Sequence, residues 1–299
     1  MQLDGVITAL VTPFDDRGEV DYEALGRLLA HQLEAGVTGF VPCGSTGEFT
    51  ALSPDERNEV CRFVMEQAGG RAQLIAGVNA GSTREVIALS QAVQDMGYEG
   101  VLAAPPYYSM PAPEELVAHF QAILDATDLK LVLYNYPVKT GVEICRQVLD
   151  AFADDERVIA IKDSSGVVQR AVMITTDYAG KYQLSNGSDD VTLDFYLWGA
   201  KSWICGPANA FASQCVALHE RATAGDVTGA RDVMRALFPA MNSLEAGKFI
   251  QKVKYGAALS GVPVGVTRPP LYPLSEAEKA DFKRAFEIAN ADPVAAADE

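Results

Sequence analysis

The chain has 299 residues, 48% hydrophobic and 21% charged, an ordinary balance for a folded protein long enough to bury a full core without staples. A formal net charge of −16 repels phosphate backbones and argues against nucleic acid as a partner, so the acidity reads as a solubilising surface. Cys43, Cys61, Cys145, Cys205 and Cys215 form an odd set without CxxC spacing, which argues against a disulfide framework or a zinc site and suits a reducing compartment.

In chain order, the opening MQLDGVITALVTPF has no basic segment, and Asp4 and Gly5 interrupt its apolar stretch, so it does not read as a signal peptide. No apolar run approaches membrane-spanning length, and the expectation is a cytoplasmic protein without a membrane partner. Short apolar, β-branched runs then alternate with helical patterns. The strand-like runs are 5–13, 39–44, 74–79, 100–106, 130–137, 158–165, 182–189 and 202–209. Between them lie amphipathic stretches such as 21–36 and 53–70. Ser53-Pro54 with Glu56, and Ser82-Thr83 with Glu85, are helix start signals, while Gly36, Gly69 and Gly97 stand where C-terminal caps belong.

Strands that are apolar throughout are expected when both faces of a parallel sheet are covered. Eight strand–helix units in about 220 residues fit a closed (β/α)₈ barrel. The rival, an open doubly wound sheet, carries a Gly-rich loop after its first strand, and here that loop reads VTPFDDRGE. Residues 1–225 are therefore assigned to the barrel and 226–299 to a helical extension of about three helices within the same unit, with a frayed tail at 291–299.

A (β/α)₈ barrel builds its active site at the C-terminal ends of its strands. Those ends hold Gly44-Ser45-Thr46-Gly47-Glu48, Pro105-Pro106-Tyr107-Tyr108, Tyr134-Asn135-Tyr136-Pro137, Lys162-Asp163-Ser164-Ser165-Gly166 and Asn186-Gly187-Ser188-Asp189-Asp190. Lys162 follows VIAI, and apolar surroundings that disfavour an ammonium would make it a nucleophile for carbonyl chemistry. A strand-end lysine can equally snorkel to solvent or pair with Asp163, and position alone leaves the two readings balanced. The neighbours favour the nucleophile. Tyr134, one strand away, could relay protons, and Ser45 and Thr46 sit in a glycine-flanked turn that suits a carboxylate.

His31, His119 and His219 fall in helical segments, so a histidine metal site or triad has little support. GxxxxGK[ST] is absent. Asp189 and Asp190 could hold a divalent ion, but without a histidine they read as polar substrate contacts. Cys205 reads as buried packing.

With GSTGE at 44–48, PPYY at 105–108, YNYPVKTG at 134–141 and IKDSSG at 161–166, the chain resembles the dihydrodipicolinate synthase / N-acetylneuraminate lyase family of class I aldolases over nearly its whole length. The resemblance implies Lys162 as Schiff-base lysine and Tyr134 as proton relay. It implies Ser45 and Thr46 as carboxylate binders, with Ser45 also in the relay and Tyr108 completing the relay of a neighbouring subunit. Gly187 and Ile204 would offer backbone groups, with Ser164, Asp189 and Asp190 as further substrate contacts. No metal or organic cofactor is implied, and the assembly would be a homotetramer built as a dimer of dimers. The synthases carry an arginine where this chain has Lys139, and that arginine helps bind the second substrate's carboxylate; Lys139, as a substrate contact there, keeps the charge and loses the bidentate fork. The lyases have an apolar residue there, while Ser188-Asp189-Asp190 leans to the lyase side and Gly206-Pro207 replaces its hydroxyl residues. The leading expectation is condensation of pyruvate with aspartate semialdehyde, a step in lysine biosynthesis. The alternatives are a neuraminate-lyase-like aldolase, a 2-keto-3-deoxy sugar acid aldolase or dehydratase, and more remotely a ligand-sensing barrel without catalysis.

Overall fold

The computed structural model describes residues 1–291, so the tail expected to fray lies outside the described residues except for Ala291. The strands are β1 Gly5–Ala9, β2 Gly39–Val41, β3 Gln73–Gly77, β4 Gly100–Ala103, β5 Lys130–Asn135, β6 Val158–Asp163, β7 Gln183–Asn186 and β8 Ser202–Cys205. They pair in sequence order, all parallel, and β8 closes on β1, giving the eight-stranded barrel that the alternation predicts. Around and between them run α1 Tyr22–Glu34, α2 Pro54–Ala68, α3 Thr83–Asp95, α4 Pro113–Ala126, α5 Pro137–Thr140, α6 Arg146–Phe152, α7 Val168–Asp177, α8 Thr192–Leu197 and α9 Ala212–Thr223. The chain then continues as α10 Val227–Glu245, α11 Phe249–Leu259 and α12 Glu276–Asn290.

Each strand ends earlier than its apolar run suggests. Val11, Val78 and Ala104 lie past the last paired residues yet remain buried, so hydrophobicity alone extends the run beyond the sheet. Two cores explain why the strands are apolar on both faces. Ile7, Val41, Ile75, Leu102, Val132, Ala160 and Ile204 fill the barrel interior, while Val6, Phe40, Leu131, Leu133, Ile161 and Trp203 pack outward beneath the helices. The alternation sets the site. Ala160 faces inward, so Lys162 two residues on does too, and Val132 does the same for Tyr134. The β5–β6 register then puts Tyr134 beside Lys162 at one height.

The start signals behave as read. Ser53 accepts from the Glu56 N–H, and the Glu56 carboxylate returns to the Ser53 N–H at 2.8 Å; Ser82 caps α3 through Glu85. Gly36 and Gly97 are left-handed, at φ +90° and +96°. Gly69 is not. Its φ is −57°, and the next residue, Gly70 at φ +73°, makes the left-handed turn instead.

The extension is tied back to the barrel by buried charge on α11 and in the segment that follows it. Lys254 on α11 meets Glu48 at 2.6 Å, with both side chains 2% exposed, and donates to the Val266 carbonyl at 2.8 Å. The Arg268 N–H also donates to Glu48, its side chain pairs with Glu56, and both cations lie 4.3 Å from the Phe14 ring centre. Because Glu48 closes the GSTGE turn, this contact fastens the extension to the loop that carries Ser45 and Thr46. No described helix is long and apolar enough to cross a membrane.

Candidate active site

The C-terminal ends of the strands surround a cavity of about 410 Å³. Of the residues singled out in the sequence, Lys162, Tyr134, Ser45, Thr46, Lys139, Gly187, Asp189 and Ile204 line it. Ser164, Asp190 and Tyr108 do not, and neither does Cys205, which faces outward and is buried.

Lys162 is 5% exposed, and its Nζ lies 4.4 Å from the centre of the Tyr134 ring. Burial brings its pKa down from 10.5 to about 8, against the opposing charges of Asp189, Cys205 and Glu245. A usable fraction of neutral amine is therefore present near neutral pH. The rate of imine formation with pyruvate is expected to rise with pH, reach half its maximum near 8 and then level. Rapid quenching with borohydride reads this directly, and a profile flat from pH 6 to 9 would contradict it.

Burial pushes the Tyr134 phenol above its ordinary pKa, while the Ser164 and Ser45 hydroxyls, its hydrogen-bond partners, draw it partly back. Tyr134 is thus a protonated phenol able to pass a proton along neighbouring hydroxyls. Ser164, outside the lining, donates to the Gly187 carbonyl at 2.8 Å and orders that loop. Glycine is required there, because a Cβ would lie 2.1 Å from Ser164 Oγ and 2.7 Å from Lys162 Cε. The turn holding Ser45 and Thr46 is closed by Gly47 N–H donating to the Gly44 carbonyl at 3.0 Å.

Asp189 is buried and accepts from the Trp203 indole N–H at 2.9 Å. Burial, with the Glu245 charge, drives its pKa well above the carboxylate range. Asp190 does not line the cavity. Tyr108 points outward, 94% exposed with φ +71°, and Tyr107 turns inward onto Phe49, with ring centres 6.0 Å apart.

The sequence reading missed the wall contributed by the extension: Leu244, Glu245, Gly247, Lys248, Phe249 and Ile250. It also missed Tyr136, whose ring centre lies 5.8 Å from that of Tyr134. Tyr136 could have been found as a neighbour of the relay tyrosine. Nothing in SLEAGKF shows that the end of α10 overhangs the barrel mouth. Among the described residues no group of three or more histidine, cysteine, aspartate and glutamate side chains is arranged to hold a metal.

Comparison with known proteins agrees with the barrel fold. The family model described as the dihydrodipicolinate synthetase family matches residues 2–289. A 4-hydroxy-tetrahydrodipicolinate synthase of Pelobacter propionicus is 38% identical over 276 residues, covering 92% of this chain and 95% of the relative. The structure of the enzyme of that name from Methylacidiphilum fumariolicum SolV superposes with a TM-score of 0.93 at 32% identity, covering 97% of each chain. A chloride-inhibited dihydrodipicolinate synthase from Acinetobacter baumannii, complexed with pyruvate, gives a TM-score of 0.93 at 31% identity, covering 97% of this chain and 99% of that one. The chain belongs to the dihydrodipicolinate synthetase family, and is a lyase of the class I aldolase type.

Proposed function

We propose that the protein condenses pyruvate with aspartate 4-semialdehyde through an imine on Lys162. The observation that carries this reading is a buried amine with a lowered pKa, set in the cavity against a phenol that bonds to two serine hydroxyls. The names of the relatives, and the pyruvate bound to one of them, support the choice of substrates.

In this scheme the Lys162 amine adds to C2 of pyruvate and water leaves, while Ser45 and Thr46 receive the carboxylate. The iminium draws electrons from C3, which loses a proton to give an enamine. C3 then attacks the aldehyde carbon, and the new alkoxide takes a proton through Tyr134. The substrate's own amine displaces Lys162 by transimination, closing the ring and freeing the enzyme. The imine is the electron sink, so the scheme uses no metal or organic cofactor.

A homo-oligomer completes the site. Tyr108, Met110 and Val138 are 94%, 62% and 81% exposed, and Met110 packs by Gly141, so these three form an apolar patch beside the cavity. A second copy covering that patch would bring its Tyr108 to the relay of its neighbour, in a dimer that itself pairs. The extension belongs to the same unit as the barrel, because α10 supplies Leu244 and Glu245 to the cavity wall. The free cysteines favour a reducing, cytoplasmic setting.

A second reading, an aldolase or dehydratase for hydroxylated 2-oxo acids, draws support from the carboxyl groups of Asp189 and Glu245 in the cavity. Borohydride trapping separates the two. A pyruvate adduct on Lys162, with turnover of aspartate semialdehyde, supports the first. An adduct only with a longer 2-oxo acid supports the second, and no adduct with any 2-oxo acid sinks both. Tyr108→Phe is expected to lower turnover roughly 10²-fold while imine trapping persists; unchanged turnover would remove Tyr108 from the relay.

A further inference from the structure

Five ionisable lysine, aspartate and glutamate side chains line the cavity: Lys139, Lys162, Lys248, Asp189 and Glu245. Three are already committed. Lys162 becomes the imine, Lys248 pairs with Glu278 at 2.7 Å, and Asp189 is held by the Trp203 indole at 2.9 Å. The carboxylate of the 2-oxo acid goes to the uncharged Ser45 and Thr46 turn. Lys139 and Glu245 remain, and neither makes an ion pair among the described residues.

The two arrive from different parts of the chain. Lys139 belongs to the short helix α5 that follows β5, and Glu245 is the last residue of α10, brought in by the extension. Burial and the Asp190 charge raise the Glu245 carboxyl, while the Asp189 backbone N–H, which donates to it, and then the Lys139 ammonium draw it partly back. At the exposed rim of the cavity, a carboxylate that a neighbouring like charge disfavours gains from a cation brought in by the substrate.

We propose that Glu245 is a specificity residue that receives the ammonium group of the aldehyde substrate, beside the carboxylate position that the family resemblance already gives to Lys139, so that this one carboxyl group separates amino from desamino aldehydes. This rests on the condensation reading above and extends it to the amine. Both charges of an α-amino acid sit on one carbon, and one anionic and one cationic host group answer them together. A desamino aldehyde satisfies only Lys139, and a neutral hydroxylated aldehyde leaves both host charges desolvated and unpaired.

Two ligand pairs that differ only in the α-ammonium test this. Aspartate 4-semialdehyde and succinate semialdehyde are compared by the single-turnover rate at which each consumes the Lys162 enamine, a step that precedes any attack by the substrate amine. L-homoserine and 4-hydroxybutyrate are compared by calorimetry as unreactive ligands, on enzyme whose Lys162 has been capped by pyruvate and borohydride. The extent of capping also counts the folded sites in each variant. The wild type is expected to favour the amino member of each pair by about 10–100-fold, and Glu245→Gln to lower that preference at least about tenfold. Lys139→Met is expected to weaken both members alike. A preference that survives Glu245→Gln, or one that is absent from the wild type, overturns the proposal. If aspartate semialdehyde is not turned over but homoserine is still preferred in a Glu245-dependent way, the condensation reading falls and the ammonium site stands. If turnover is efficient and the preference ignores Glu245, the reverse holds.

Discussion

Lys162→Ala is expected to lose pyruvate trapping completely and to lower condensation on the order of 10⁴-fold or more, because no other group can form the electron sink. The other lysines of the cavity are poor substitutes. Lys248 is tied to Glu278, and Lys139 sits on the short helix α5, whereas Lys162 is the lysine in register with Tyr134. The loss should be chemical and not a loss of fold. Since burial depresses the folded-state pKa from 10.5 to about 8, the folded protein holds this proton less tightly than the unfolded chain does. Carrying the ammonium therefore costs stability below about pH 8, and the cost fades as pH rises from there to 10.5. Lys162→Met, which keeps the stem and removes the charge, should be at least as stable as the wild type at pH 7. Intact-mass analysis after borohydride, with thermal melting alongside, checks both halves. A Met variant that melts far below the wild type would show that Lys162 has a structural role beyond the imine.

The largest loss of stability is expected from breaking the buried Lys254–Glu48 pair. The two groups meet at 2.6 Å with 2% of each side chain exposed, so Lys254→Met leaves a carboxylate without its counter-ion in a dry site. Removing one partner of such a pair costs about 3–5 kcal/mol, which for a chain of this size lowers Tm on the order of 10 °C. Glu48→Gln combined with Lys254→Met should recover part of that loss, since an uncharged pair removes the desolvation problem from both sides. A second readout follows from position. Glu48 closes the turn that carries Ser45 and Thr46, so Lys254→Met should raise the KM for pyruvate more than it lowers kcat. Equal melting of the single and double variants would mean that the pair acts independently of its charge.

The core of the chemistry could be read in the sequence because parallel strands buried on both faces leave a plain signature, and their ends mark where side chains enter the site. Lys162 after VIAI, Tyr134 after KLVL and the GSTGE turn all follow from that rule. Their places at adjacent strand ends also suggest a matching height, which the register bears out, but not their inward direction. Both depend on which alternate residues face the barrel interior, and on a β5–β6 register that shifts at Leu131/Val132 before aligning Tyr134 with Lys162. Tyr107 and Tyr108 make the limit plain. Adjacent and chemically identical, they point into the cavity and out to solvent because Tyr108 adopts φ +71°, and the sequence carries no strong mark of that turn.

Local chemistry in the sequence determined where helices start, where strands lie, that eight strand–helix units follow one another, and which lysine, tyrosine and hydroxyls could meet a carbonyl. Tertiary structure alone decided that α10 crosses the barrel mouth, that Glu245, Lys248 and Phe249 complete the wall, and that Lys254 anchors the extension to Glu48. The physical reason is range. Caps, periodicity and strand alternation act within a few residues, whereas Glu245 and Lys162 are brought together by packing between segments far apart in the chain, and no local pattern records which partner a helix end will reach.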